Sequence, residues 1–402
     1  MFLSAGEASG DHYGAEVVRG LRAALPGVTF FGLGGLEMER AGLDCVVRAE
    51  DVAVMGITEI LQHVPKIYRS YRRLVGEIRE QRPDVAVLID FPDVNFRLAK
   101  HLRRAGVPVV WFVSPQLWAW KRRRLRWVQE RVDRMLVIFP FEESFYRARG
   151  VCTEFVGHPL ADAGAPRAGS RLAFAAEHGL DPGRQWIALL PGSRTKEVNA
   201  HLYTMLQAAI GLSAAGEYEF VLPVASTLDV EWVQSQMERW VARRRHFGGA
   251  PLPTVRLVRD AGAALHHARA SVVASGTATV LAAVVGNPFV VVYKVSRLTF
   301  GLAKRLVRYP AEIAAEVDAD GNLPVAMVNL LAGRRLVPEL LNRRFTPEGV
   351  RETLEPLLAE GEARREQMEG LAEVRRRLAA PTGVGGVERV VTAAVDLLQG
   401  RV

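Results

Sequence analysis

Cysteine is nearly absent from this chain: Cys45 and Cys152 are the only two among 402 residues. Their separation fits no metal or redox motif and supplies no disulfide framework, so a reducing compartment is expected. A basic leader followed by an apolar stretch is also missing; the chain opens Met1-Phe2-Leu3-Ser4-Ala5-Gly6, which shows no sign of export. Long hydrophobic runs are scarce. The one candidate, Ala270 to Tyr293, carries no charge and is long enough to span a bilayer. It is broken by Ser275-Gly276-Thr277 and Gly286-Asn287-Pro288, which divide it into strand, helix and strand. Neither G-x-G-x-x-G nor G-x-x-x-x-G-K-[ST] occurs, and Gly32-Leu33-Gly34-Gly35-Leu36-Glu37 is only a near miss. Dinucleotide redox chemistry and P-loop hydrolysis lose their support. No H-x-x-x-H or Cys/His cluster exists, so no metal is expected. Fixed-period repeats and low-complexity tracts are absent too.

The rest is an ordinary globular composition, 49% apolar and 24% charged. The length exceeds what one core sustains and suits two domains. Lys plus Arg number 52 against 44 acidic residues, a net +8 that hints at an anionic partner without forming a nucleic-acid-style basic block. Val28 to Leu33, Val85 to Ile89, Val107 to Val113 and Met135 to Phe139 are near-continuous apolar runs of strand length. Such runs predict strands buried on both faces of a parallel sheet. Between them, Ala15 to Leu25 and Val94 to Arg104 have helical spacing. A small, turn-rich stretch, Ala161 to Ser170, reads as a linker. The alternation then restarts at Trp186 to Leu190, Phe220 to Pro223, Val255 to Val258, Ser271 to Ala274 and Phe289 to Val292. After Thr346 the chain turns helical and charged, and Val387 to Leu398 forms a last apolar helix. The expected architecture is α/β, with two Rossmann-like doubly wound domains over residues 1–162 and 171–375. Residues 376–402 are left as a terminal helical segment.

Small-residue loops follow the strands. Ser4-Ala5-Gly6-Glu7-Ala8-Ser9-Gly10-Asp11 opens one helix, Leu190-Pro191-Gly192-Ser193-Arg194 precedes another, and Ala274-Ser275-Gly276-Thr277 a third. Glycine and serine admit a ligand to the backbone, and helix-start N–H groups suit phosphate. The plain alternative, tight turns with helix caps, is favoured for one such loop alone; two in one domain, one bearing Arg194, favour phosphate. Asp90-Phe91-Pro92-Asp93-Val94-Asn95 ends an apolar strand, where a base for a substrate hydroxyl belongs. Asp90 is assigned to chemistry, and Asp93 to capping or orientation. His158, just before the linker, is placed to look into a cleft; His12, His266 and His267 read as ordinary histidines.

Trp111, Trp118, Trp120 and Trp127 lie close together, with Lys121, Arg122, Arg123, Arg124 and Arg126 among them. Leu125, Val128 and Val132 mark the buried side of that helix, which turns the cations outward. Amphipathic rings beside cations suit an anionic membrane surface. The alternative, a solvated basic face over core tryptophans, stands level with it. Phe300 to Arg308 is a second basic helix that would help.

Taken in order, the motifs resemble the lipid-A-disaccharide synthase family, inverting glycosyltransferases of the GT-B fold. They are Gly6-Glu7-Ala8-Ser9-Gly10-Asp11, Ala53-Val54-Met55-Gly56-Ile57-Thr58-Glu59, Ile89 to Asn95, Val113-Ser114-Pro115-Gln116-Leu117-Trp118-Ala119-Trp120, Pro140-Phe141-Glu142, Gly157-His158-Pro159-Leu160, Leu190 to Arg194, Ala274 to Thr279 and Asn329 to Arg334. The resemblance implies transfer of diacylglucosamine from its UDP donor to the 6-hydroxyl of diacylglucosamine 1-phosphate, giving a β-1′,6 disaccharide 1-phosphate and UDP. It implies Asp90 as base, with Glu7, Ser9, Asp93, Asn95 and His158 on the acceptor side. Gly192, Ser193, Arg194, Gly276, Thr277 and Asn329 would surround UDP. Val54, Met55 and Ile57 would face membrane or acyl chains, with Trp118, Trp120 and the cations from Lys121 to Arg126 beside them. It further implies no cofactor, no nucleic-acid partner, and a cytoplasmic enzyme held peripherally at the inner membrane face. The final helix is expected to pack on the first domain or to swap into a homodimer. Departures from the family pattern are Leu281 for a glutamate, Val328 for a proline, Asn342 for a glutamine, and an acidic insertion from Pro310 to Pro324, all expected in the donor domain. Two other readings stay open: an enzyme resembling UDP-N-acetylglucosamine 2-epimerase, and a non-catalytic basic protein binding membrane or nucleic acid.

Overall fold

The computed structural model describes residues 1–52, 57–162, 168–246, 250–381 and 383–400. The chain divides into two compact units. The first comprises Met1–Asp162, Arg308–Glu312 and Leu378–Val402; the second comprises Ala163–Val307 and Ile313–Arg377.

The first unit is built on seven strands: β1 (Phe2–Ala5), β2 (Phe31–Gly34), β3 (Asp44–Arg48), β4 (Ala86–Ile89), β5 (Val109–Phe112), β6 (Arg134–Val137) and β7 (Thr153–Phe155). All pairs are parallel, in the order β3-β2-β1-β4-β5-β6-β7. β1, β4 and β5 are buried along their whole length, as continuous apolar runs demand when helices cover both faces. Of Met135 to Phe139, only Met135 to Val137 lies in a strand, because Pro140 starts the helix Pro140–Arg147.

The second unit repeats the plan with β8 (Gln185–Leu190), β9 (Tyr218–Pro223), β10 (Val255–Val258), β11 (Ala270–Ala274), β12 (Phe289–Tyr293) and β13 (Glu339–Leu341). Its parallel order is β10-β9-β8-β11-β12-β13. The uncharged stretch from Ala270 to Tyr293 is β11, the helix Thr277–Val285 and β12. Among the described residues no helix is long and apolar enough to cross a membrane.

The terminal helix Gly386–Leu398 packs on the first unit's opening helix, Ala8–Ala24. A Cβ on Gly20 would come 2.8 Å from Val391, Gly386 N donates to Asp162 at 2.9 Å, and Arg389 donates to Glu154 at 2.6 Å. The stretch from Pro310 to Pro324 does not lie wholly in the second unit, as its sequence position suggests. Arg308–Glu312 belongs to the first: Arg308 N donates to Ala119 O, Tyr309 packs on Trp118, and Arg149 pairs with Glu312 at 2.7 Å.

Candidate active site

In a doubly wound sheet the ligand crevice opens where strand order reverses, beyond the carboxyl ends. In the first unit that point lies between β1 and β4, whose last residues Ala5 and Ile89 are register partners. The loop from Gly6 leaves β1 here, and Asp90 ends β4. A Cβ on Gly6 would lie 2.2 Å from the Phe91 ring, so glycine is what lets the two loops pack. Asp90 and Phe91 are both left-handed, at φ +45° and +48°. Such a backbone costs about 1–2 kcal/mol per non-glycine residue and clusters at functional sites.

Buried bonds hold that corner. Asn95 Nδ2 donates to Asp90 O at 2.7 Å and to Ile89 O at 3.3 Å, while its Oδ1 accepts from Ser4 Oγ at 2.6 Å. Asp90 N donates to Phe112 O at 2.9 Å. Asp90 is thus a half-buried carboxyl on a stitched strand end. Glu7 and Ser9 are exposed on the neighbouring loop and first helical turn. Asp11 anchors that turn by accepting from Gly35 N, Glu37 N and Met38 N at 2.7, 3.0 and 3.1 Å.

Three expectations for this unit need correction. Asn95 is fully buried, so it positions Asp90 and does not line an acceptor site. Asp93 does not cap: Pro92 moves the helix start forward, Phe91 is the cap residue, and Asp93 pairs with Arg124 at 2.6 Å. His158 is buried against Phe139, with its Nδ1 accepting from Leu160 N at 3.2 Å. Burial pushes its pKa down to about 4, so it is a neutral packing group and not a cleft residue.

The tryptophan-rich segment divides in two. Trp118 is 2% exposed, and its Nε1 donates to Glu142 Oε1 at 3.0 Å, beside Ser114 Oγ at 2.8 Å. It cannot face a membrane, because its ring and N–H are spent inside the unit. Glu142 is buried, and desolvation raises its pKa to about 7 against those donors. Trp120, by contrast, is 47% exposed, with the Lys121 ammonium 4.0 Å above its ring. Arg123 and Arg126 are exposed. Arg122 is held by the carbonyls of Trp118 and Arg308, and Arg124 by Asp93, so these two are not the open cations expected. Val54 and Met55, and the side chain of Ile57, lie outside the described residues.

In the second unit the order reverses between β8 and β11, where Val273 and Leu190 are register partners. Both phosphate-type loops lie here. The first is partly filled by its own helix: Glu197 accepts from Ser193 N at 2.9 Å and Arg194 N at 3.3 Å. Gly192, at φ +123°, makes room for Glu197. Arg194 is exposed, its guanidinium 3.5 Å from Glu197. The second loop is more open: Gly276, at φ +151°, precedes the helix Thr277–Val285, no side chain caps that helix, and nothing lies within 4 Å of where a Cβ would be. Its N-terminus is exposed and uncapped, so its backbone N–H groups are the more accessible of the two sets.

Asn329 is not available to a ligand. It is 1% exposed, and its amide is consumed by Val337 N, Val337 O and Glu339 Oε1, each at 2.9 Å. Glu339 also accepts from Ala326 N at 2.9 Å, and Ser275 Oγ donates to Val325 O at 3.2 Å. The pair therefore supports the Gly276 loop from behind. His201 has a similar role that its sequence does not advertise. Its Nδ1 bonds Pro191 O at 2.8 Å and its Nε2 accepts from Lys294 N at 3.1 Å, tying the loops after β8 and β12. Burial lowers its pKa, which keeps it neutral. Of the departures, Val328 is buried, Leu281 is half-buried on the helix Thr277–Val285, and Asn342 accepts from Val295 N at 2.9 Å. Among the described residues no acidic, histidine or cysteine cluster could hold a metal ion.

Two Rossmann-like sheets, each with its functional loops at the point of reversal, define a GT-B architecture. Solved structures agree on the fold. The glycosyltransferase of kitacinnamycin superposes with a TM-score of 0.60 at 15% identity, covering 98% of each chain. A UDP-GlcNAc 2-epimerase from Neisseria meningitidis gives 0.59 at 11% identity, covering 99% of each. The particular family comes from sequence. The model described as lipid-A-disaccharide synthetase matches residues 1–380. The lipid-A-disaccharide synthase of Acidobacterium capsulatum is 50% identical over 404 residues, covering 100% of this chain and 97% of that protein. The chain belongs to the lipid-A-disaccharide synthase family and is a glycosyltransferase. That membership decides against the epimerase-like and non-catalytic readings.

Proposed function

We propose that Asp90 is the general base of an inverting transfer. It takes the proton from the 6-hydroxyl of a diacylglucosamine 1-phosphate acceptor as that oxygen attacks the anomeric carbon of UDP-diacylglucosamine. UDP leaves from the opposite face, and the product is the β-1′,6 disaccharide 1-phosphate. The observation that carries this reading is the left-handed corner at the end of β4, where buried Asn95 and Ser4 hold a carboxyl-bearing residue at the switch point. Glu7 and Ser9, on the adjoining loop, contact the acceptor.

The second unit holds the donor. The N–H groups at Gly276 and Thr277, with the backbone at Gly192, the Ser193 hydroxyl and the Arg194 guanidinium, receive the diphosphate and stabilise the charge that develops on it. No metal or other cofactor enters this scheme. Acylated substrates reside in a bilayer, so the enzyme works peripherally at the inner face of the cytoplasmic membrane. Trp120, Lys121, Arg123 and Arg126 supply an interfacial ring and cations from the first unit. Incubation with UDP-diacylglucosamine and diacylglucosamine 1-phosphate, followed by assay of UDP and disaccharide, tests the reaction. Product formation in Asp90→Asn at a rate within a few-fold of the parent's would overturn the role of Asp90.

A further inference from the structure

At the edge of the first sheet, β3 and the helix Ile57–Gln81 border an open cavity of about 540 Å³ that the reaction scheme leaves unused. Arg48, Lys66, Arg69 and Arg73 line it, with Ser70, Cys45 and one acid, Asp51. Lys66, Arg69 and Arg73 follow the i, i+3, i+7 spacing that puts like charges on a single helix face. Such charges repel one another unless an anion joins them. Two of the four cations already have partners: Arg48 meets Glu39 at 2.6 Å, and Lys66 meets Asp51 at 2.6 Å. Among the described residues no carboxylate pairs with Arg69 or Arg73; Arg69 reaches only the Pro65 carbonyl of its own helix. Guanidinium groups offer forked donors matched to phosphate, and Ser70 adds a hydroxyl.

We propose that this cavity is a second ligand site, taking a phosphate ester on a small polar headgroup. Its volume falls in the range of small-molecule sites and exceeds what a bare phosphate needs. It is separate from the acceptor site. Three inter-strand steps, about 14 Å, divide β3 from β4 and Asp90. The same chemistry occurs in a soluble phosphate ester and in the headgroup of an anionic lipid.

Cys45 reports on the cavity from within, half-buried and free, while exposed Cys152 serves as an internal control. Maleimide labelling of the full chain, read peptide by peptide by mass spectrometry, gives the test. Glycerol 3-phosphate at about ten times its Kd should slow Cys45 labelling by about tenfold and leave Cys152 unchanged, whereas glycerol should do nothing. Protection by glycerol 3-phosphate identifies a soluble ester as a sufficient ligand. Protection by phosphatidic acid vesicles alone, with none from phosphatidylcholine vesicles, identifies a lipid headgroup. Absence of protection in both arms overturns the proposal. Arg69→Gln with Arg73→Gln should abolish protection while UDP binding stays intact; protection equal to the parent's would overturn it as well. If that pair fails to bind UDP, Arg73→Gln alone replaces it and should weaken protection several-fold; unchanged protection again overturns the site.

Discussion

Under the proposed scheme the two switch points solve different problems with the same topology. In the first unit the crevice is strained and stitched: Asp90 and Phe91 are left-handed, and buried Asn95 and Ser4 hold the corner. In the second unit the strain falls on glycines. Glu197 has taken one set of helix-start N–H groups, and the set at Gly276 has no capping side chain. A base must present one carboxyl at one angle, which rewards rigid support. A diphosphate is recognised by several backbone donors at once, which rewards bare backbone.

The sharpest way to break this comparison is at Asp90. Asp90→Asn keeps size and removes basicity, so turnover should fall by about 10² to 10⁴ while UDP affinity holds. Turnover within a few-fold of the parent would remove the distinction between the units. Asn95→Ala tests the stitching itself. It leaves Ser4 Oγ and two carbonyls unpaired in the core, a loss of about 1–3 kcal/mol each at most. Turnover should fall more than UDP affinity, and hydrogen exchange should quicken at the carboxyl end of β4.

Acidity distinguishes the groups beneath the first site. His158, with its pKa near 4 instead of the usual 6.5, contributes stability that is present above pH 6.5 and lost as pH falls toward 4. Glu142, with its pKa near 7 instead of 4.5, acts oppositely: its penalty appears as pH rises from 4.5 to 7. The two slopes oppose each other between pH 4.5 and 6.5. Glu142→Gln removes one of them, so the first unit of the variant should lose about 1.4 kcal/mol per pH unit relative to the parent on acidification. Parallel profiles for parent and variant, measured by hydrogen exchange of β5 and β6, would refute the assignment.

On the donor side, Gly276→Ala has space for its methyl group but not the backbone angle. UDP affinity should drop by about tenfold, equivalent to ~1.4 kcal/mol of backbone strain, with little change in the base's pH profile. The smallest effect belongs to the surface. Trp120→Ala with Arg123→Glu and Arg126→Glu should weaken sedimentation with anionic vesicles several-fold, more at low salt than at high, and spare UDP binding. Equal sedimentation would move the membrane contact elsewhere.

Much of the architecture was determined by sequence alone. Short apolar runs bounded by turn residues favour strands buried on both faces, and the small-residue loops that follow such strands fall at their carboxyl ends; the places of Asp90, Gly192 and Gly276 after strands were legible for that reason. The interruptions within Ala270 to Tyr293 excluded a membrane span in the same local way. Tertiary structure decided which polar and aromatic groups are free to act. Trp118 and Trp120 look alike in the chain, yet Glu142, 24 residues away, buries the first and leaves the second exposed. Asn329 carries a family motif and is consumed by Glu339 and Val337. His201, unremarked in sequence, joins two loops because β8 and β12 flank β11 in the same sheet. Arg308–Glu312 leaves its neighbours in sequence for the first unit because Trp118 and Arg149 receive it there. Periodicity and composition report a residue's own element, whereas hydrogen-bond partners and burial arise from segments brought together across tens to hundreds of residues.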